Sequence, residues 1–156
     1  MSGPVLISGG DILDLDAVMR VMEDSFDPAY GEGWSAPQCA GLIPMPGVWL
    51  TLARDGDEVV GFALARIVLR EAELLLLAVK KKAQQHGSGK ALLNRFIEDA
   101  GRRGAEKLYL EVRDGNAAIK LYNSAGFEKG GRRAKYYTGC DGQIYDSLTL
   151  SRKVAL

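Results

Sequence analysis

An unbroken run of leucines, Leu74 to Leu77, sits inside the stretch Glu71 to Val79, and Gly87-Ser88-Gly89 follows shortly after. A continuous apolar run has neither helical nor half-exposed strand periodicity. It suits a strand covered on both faces of a sheet. Beyond the glycines, Leu92, Leu93, Phe96, Ile97 and Ala100 recur at three- and four-residue spacing along one helix face, and Gly101 and Gly104 end the segment. A buried strand that passes through a glycine turn into an amphipathic helix needs cover on both sides of its sheet. That restricts the chain to α/β architectures.

The remaining segments fit around this unit. Pro4 to Ser8 reads as an edge strand broken by a turn at Gly9-Gly10. From Asp11 the apolar residues Leu15, Val18, Met19, Met22 and Phe26 form one helical stripe, which Asp27-Pro28 ends. Ser35 is placed to cap a short helix reaching about Leu42. Val48 to Ala53 and Glu58 to Val68 are strands joined by the hairpin turn Asp55-Gly56-Asp57. Leu108 to Val112 is a strand and Asn116 to Ala125 a helix closed by Gly126. Two further strands, from Phe127 through Tyr136-Tyr137 and from Ile144 to Leu150, flank a turn at Gly139 to Gly142. The expectation is a single α/β domain over residues 1–156, with a mixed, mostly antiparallel sheet of about six or seven strands and helices on both faces.

Charge and cysteine usage narrow the function. Twenty Lys+Arg balance twenty Asp+Glu, so no global field draws the chain to nucleic acid or to an anionic membrane. The uncharged stretch Gly33 to Ala53 is interrupted by Pro37, Pro44 and Pro46 and does not read as a membrane span. Cys39 and Cys140 are too few for a disulfide scaffold and fit a reducing, cytoplasmic setting. His86 is the only histidine and has no cysteine or carboxylate cluster beside it, so no metal is expected.

The chemistry concentrates at Gln84-Gln85-His86-Gly87-Ser88-Gly89-Lys90. Glycines at a helix start let a ligand approach the backbone, and the first helical amides have no internal partners. The helix dipole is positive there, so the segment suits a phosphate. A Walker loop is excluded, because Gln84 stands where its first glycine belongs and Ala91 follows Lys90. A dinucleotide fingerprint is excluded, because Leu92 replaces its last glycine.

The pattern Gln-x-x-Gly-x-Gly, with Val79 ahead of it, resembles the coenzyme A pyrophosphate loop of the GNAT superfamily of N-acetyltransferases. Leu110-Glu111-Val112-Arg113, Asn116, Leu121-Tyr122 and Gly126-Phe127 resemble the central block of its RimI-type ribosomal-protein-alanine N-acetyltransferases. Trp34-Ser35 and the tail residues Arg133, Tyr136-Tyr137, Asp141-Gly142 and Asp146 are similar too. Departures are specific. Lys81 stands where the family usually has Pro, and Asn116 and Tyr122 are six positions apart where the family usually has seven. The resemblance implies an acetyl-CoA-dependent enzyme without a metal, acting on the N-terminal amine of a protein, above all a ribosomal protein. A small-amine or lysine acetyltransferase, or a silent acyl-CoA-binding module, are the other readings of the same fold.

The resemblance also implies roles. Glu111 matches the general base and Tyr122 the general acid that protonates the departing thiolate. Leu77, Ala78 and Val79 match the stretch whose backbone holds the acetyl and pantetheine arm, and Gln84, Gln85, His86, Gly87, Ser88, Gly89 and Lys90 the phosphate cradle. Asn116 is either a coenzyme A contact or a helix cap. Tyr30, Glu32 and Trp34 would border the acceptor from one loop, with Tyr136 and Tyr137 facing them. Lys80 to Lys82 reads as a solvated charge run, or else a contact to the 3′-phosphate of coenzyme A.

Overall fold

The computed structural model describes residues 5–154. One seven-stranded sheet organises them, in the order β1-β2-β3-β4-β5-β7-β6. The strands are β1 (Leu6–Gly10), β2 (Val48–Asp55), β3 (Glu58–Val68), β4 (Glu71–Val79), β5 (Lys107–Arg113), β6 (Glu128–Thr138) and β7 (Ile144–Lys153). The helices are α1 (Leu15–Ser25), α2 (Ala36–Leu42), α3 (Ser88–Arg102) and α4 (Ile119–Ser124). Every neighbouring pair is antiparallel except β4 and β5, which α3 connects as a parallel crossover.

Two apolar layers cover the sheet. On one face Leu92, Leu93, Phe96 and Ala100 of α3, with Tyr122 of α4, pack onto Ala63, Leu74, Val79 and Leu110. On the other, Val18, Val21 and Met22 of α1 and Cys39 of α2 pack onto Leu52, Phe62, Leu76 and Ala78. The leucine run explains itself here. Leu64 pairs with Leu76 and Ala65 with Leu74, so Leu75 is the extra residue of a bulge. Across the bulge the facing parity changes: Ala72 and Leu74 belong to the α3 layer, whereas Leu76 and Ala78 belong to the α1 layer.

The bulge positions the site. β4 pairs with β5 only from Glu71–Lys107 to Leu74–Leu110. From Leu75 onward the two strands part, and the flank of β4 that faces β5 is left without a strand partner. Backbone donors and acceptors along such a flank require another partner.

Several boundaries differ from the sequence expectation. Gly9 and Gly10 do not form a turn; both pair in register with Thr51 and Leu50. A Cβ at Gly10 would meet Leu52 at 2.9 Å, so close packing rather than chain reversal calls for glycine there. Pro4 lies outside the described residues. Asp11 caps a short 3-10 turn, accepting from the Leu13 amide at 2.9 Å, and α1 proper begins at Leu15. The expected helix from Asn116 starts only at Ile119, with residues 117–118 in a turn before it. Ser35 caps α2 as expected, in a reciprocal box with Gln38.

The lysine run is exposed at Lys81 and Lys82, as a solvated charge run would be, and partly covered at Lys80. Lys80 and Lys82 both donate to Glu58, at 3.1 and 2.7 Å, and hold its carboxyl below the usual range. The Lys81 amide donates to Asp24 at 2.7 Å.

Candidate active site

A cavity of about 510 Å³ opens where β4 and β5 part. Its wall on one side is Leu75 to Val79 of β4, and on the other Glu111 to Arg113 of β5. Gln84, Gln85 and Gly89 lie at one end, with Asn116 and Tyr122 alongside. Tyr30, Glu32 and Tyr137 complete it. Residues from six separate stretches of sequence thus reach one space.

Glu111 is fixed tightly. Its side chain is only 8% exposed. Ser147 Oγ donates to Oε2 at 2.9 Å, and Thr149 Oγ1 lies 2.9 Å from Oε1 and 3.0 Å from Oε2. Arg133 Nε stands 3.4 Å from Oε1. The register explains this geometry. Glu111 lies opposite Thr149, and Arg113 opposite Ser147, so both hydroxyls share a face with the carboxylate. Neither Ser147 nor Thr149 was singled out from the sequence, because only strand pairing brings β7 beside β5.

Tyr122 is buried at 6% exposure, with its ring edge-on to Phe127 at 6.2 Å. Burial, and then the nearby Glu32 carboxylate, push its phenol well above the ordinary tyrosine value. Tyr137 is shifted the same way by the same two causes, and its hydroxyl donates to the Glu111 carbonyl at 3.4 Å. Both phenols therefore stay protonated at neutral pH.

Glu32 is a clasp. Its side chain is 11% exposed and pairs with Arg113 Nε at 3.0 Å, while Asn116 Nδ2 donates to it at 2.7 Å. Asn116 Oδ1 in turn accepts from the Ala118 amide at 2.8 Å. Asn116 thus caps the turn before α4 while lining the cavity. The Arg113 guanidinium also sits 3.8 Å over the Tyr30 ring. The α1–α2 loop is pinned further by close backbone contact with the β6–β7 turn. The Cys140 amide donates to Pro28 O at 3.0 Å. A Cβ at Gly31 would lie 2.1 Å from Thr138 O, and one at Gly139 only 1.9 Å from Ala29 O, so both positions require glycine. These long-range contacts had no local signal in the sequence.

The other expected residues divide. Trp34 packs half-buried against the α1 layer and does not line the cavity. Tyr136 is 47% exposed and stands edge-on to Tyr137 at 4.9 Å. His86 and Lys90 are exposed on the loop before and at the start of α3.

The start of α3 fits an anion. Gly87 occupies the cap position at φ 86° and supplies no capping side chain. Gln84 Nε2 donates back to Val79 O at 3.0 Å, and Gln85 takes φ 65°, so the loop doubles back on the end of β4. Ser88 is 1% exposed and its hydroxyl finds no partner among the described residues. An uncapped helix start has free backbone donors of the kind a pyrophosphate needs.

Residues 15–127 match the acetyltransferase (GNAT) family. The chain belongs to that family. Within it, the chain is 42% identical over 151 residues to the [ribosomal protein bS18]-alanine N-acetyltransferase of Escherichia coli strain K12, covering 96% of this chain and 98% of the relative. The crystal structure of the ribosomal-protein-S18-alanine N-acetyltransferase from Escherichia coli superposes with a TM-score of 0.87 and 30% identity, over 98% of this chain and 96% of that one. A more distant GNAT-fold neighbour, Arabidopsis thaliana NAA60 in complex with acetyl-CoA, superposes at a TM-score of 0.84 with 21% identity, over 97% and 99% of the two chains, and shares the fold. Among the described residues, no GNAT-fold helix here is long and apolar enough to cross a membrane.

Proposed function

We propose that the protein transfers the acetyl group of acetyl-CoA to the N-terminal alanine of ribosomal protein bS18. The observation that carries this reading is the 42% identity to an enzyme of that activity across nearly all of both chains. The cavity joining Glu111, Tyr122 and the start of α3 supports it. Ribosomal proteins are made in the cytoplasm, so the reading places the enzyme there.

Acetyl-CoA supplies an activated acyl carbon as a thioester. The amides at Gln85 to Lys90 hold the pyrophosphate. The unpaired flank of Leu77 to Val79 hydrogen-bonds the pantetheine arm. Glu111, directly or through one water, takes the proton from the attacking amine, which has an ordinary pKa near 8 and so a usable neutral fraction. As the N–C bond forms and the C–S bond breaks, Tyr122 gives its proton to the sulfur. Solvent then restores both residues. Glu32, Arg113 and Tyr30 hold the loop that borders the acceptor.

The decisive experiment is mass spectrometry of a peptide carrying the first residues of bS18, incubated with the protein and acetyl-CoA. A gain of one acetyl group on the α-amine is expected. Acetylation only at lysine would assign the enzyme to another acceptor, and no transfer with free thiol unchanged would leave a binding module.

Two further outcomes test the parts. Gly87→Val places a β-branched residue at φ 86°, where strain costs about 1–3 kcal/mol. A Cβ there meets nothing, so the cost is conformational rather than steric. Reshaping of the loop should weaken acetyl-CoA by about ten- to a hundredfold in calorimetry. A side chain at Gly89 acts differently: it would stand 3.5 Å from Leu121 and project along the cavity wall.

Thr149→Val removes a hydroxyl donor from Glu111 and leaves part of a buried carboxylate unsatisfied. It should cost about 1–3 kcal/mol in urea unfolding and lower kcat, with the KM for acetyl-CoA unchanged. Thr149→Ser should restore both. A Val variant with full turnover would remove Thr149 from the positioning of Glu111.

A further inference from the structure

A second cavity, of about 430 Å³, lies between α3 and the β1–β2 edge of the sheet, lined in part by Trp49, Thr51, Arg95, Arg102 and Arg103. It shares no lining residue with the cavity between β4 and β5. It sits toward the end of α3 opposite the proposed coenzyme A cradle. At 1.5 Å per residue, the fifteen residues of α3 separate the two ends by roughly 22 Å.

Three observations mark it as a binding site. First, Trp49 is only 8% exposed and its indole Nε1 is buried without a hydrogen-bond partner. An unpaired buried N–H costs about 1–3 kcal/mol, so it calls for an acceptor. Its ring is held in place by stacking on Phe96 at 6.0 Å, with the Arg103 guanidinium 4.2 Å from its centroid.

Second, the charge is unbalanced. Asp99 is the one carboxylate of the lining, and it already bonds Arg95 at 3.2 Å and Arg102 at 3.4 Å. Arg103 makes no ion pair among the described residues. Arg102 also pairs with Glu98 outside the lining, so three guanidiniums against two carboxylates leave one positive charge, that of Arg103. Arginines near the end of a helix are expected from its dipole alone. The orphaned indole beside them is not.

Third, the space is created by a missing side chain. Gly9 lies opposite Thr51 in the β1–β2 ladder, so a side chain at position 9 would project onto the same face as Thr51. A Cβ there would meet nothing within 4 Å.

We propose that this cavity is a second ligand site, for a small molecule carrying a phosphate monoester. Guanidinium forks match phosphate oxygens, and the three or more acceptor oxygens of a phosphate can take donors from Arg103 and its neighbouring arginines together where a carboxylate offers two. The volume is that of a small-molecule pocket. Thr51 and the Trp49 N–H supply neutral donors at the floor.

The test uses the full chain with Trp34→Phe, which leaves Trp49 as the sole indole. Titration with inorganic phosphate should give a saturable change in Trp49 fluorescence at constant ionic strength, and acetate should not. Saturating acetyl-CoA should leave that titration unchanged, which separates this site from the proposed active site. Arg103→Ala should weaken phosphate at least tenfold. Gly9→Leu, which fills the space without removing a charge, should do the same while the far-UV spectrum and acetyl transfer remain as in the parent. A linear, unsaturable response, or an affinity in Arg103→Ala and Gly9→Leu equal to the parent's, would overturn the proposal. So would displacement of phosphate by acetyl-CoA, or a short RNA that binds there and that phosphate cannot displace.

Discussion

Glu111→Gln is expected to lower turnover at pH 7 by about 100- to 10,000-fold, the usual worth of a general base, while acetyl-CoA affinity stays nearly constant. The fold should survive the change. Ser147 and Thr149 hydroxyls can rotate to accept from the new amide as readily as they donate to the carboxylate, so the contacts at 2.9 Å need not be lost. What disappears is the capacity to take a proton. The defect has a signed pH dependence. Below the amine pKa, near 8, the acceptor arrives protonated and needs the base; above it the amine arrives neutral. The ratio of parent to variant kcat/KM should therefore fall as pH rises from 7 to 9.5. A ratio that stays flat would give Glu111 an electrostatic role toward Arg133 or the acceptor instead. A ratio of one throughout would remove it from the mechanism.

Tyr122→Phe should fold normally and transfer slowly, again by about 100- to 10,000-fold in kcat under single-turnover conditions. The ring contact with Phe127 is kept and only the hydroxyl goes. Because burial and Glu32 hold the phenol protonated, the alkaline limb of the parent's pH profile should show no loss of this donor up to at least pH 9. The variant should recover rate with a donor thioester whose thiol is more acidic, since that leaving group needs less protonation. Equal losses with both donors would reduce Tyr122 to a packing residue.

The two substitutions probe residues whose legibility differed. Each lies within a segment that the sequence places correctly, β5 and the helix before Gly126, and each carries a match to a family motif. Their shared cavity is another matter, as are the hydroxyls that hold Glu111. Ser147 and Thr149 sit 36 and 38 residues from it, and only the β5–β7 register brings them within 3 Å. Glu32 was expected near the acceptor, but its clasp on Arg113 and Asn116 spans 81 and 84 residues. Trp34, expected beside it on the same loop, packs against the α1 layer instead. A loop aromatic packs wherever apolar surface is uncovered, and the sequence of the loop does not say where that is.

What the sequence by itself determined is local. Hydrophobic periodicity and caps define the α/β class, the strand–glycine–helix unit and most element limits, because those depend on residues within a turn or two of one another. Where local chemistry allowed two outcomes, it misled. Gly9-Gly10 can turn or can pack closely, and the contact with Leu52 decided for packing. The cavity itself was decided only by tertiary structure. It exists because a bulge at Leu75 ends the pairing of β4 with β5 after Leu74, and because backbone contacts at Gly31 and Gly139 bring two distant loops together at one side. Strand pairing and loop contact are relations between residues far apart in the chain, and their energies depend on which partner arrives. No window of sequence contains that information.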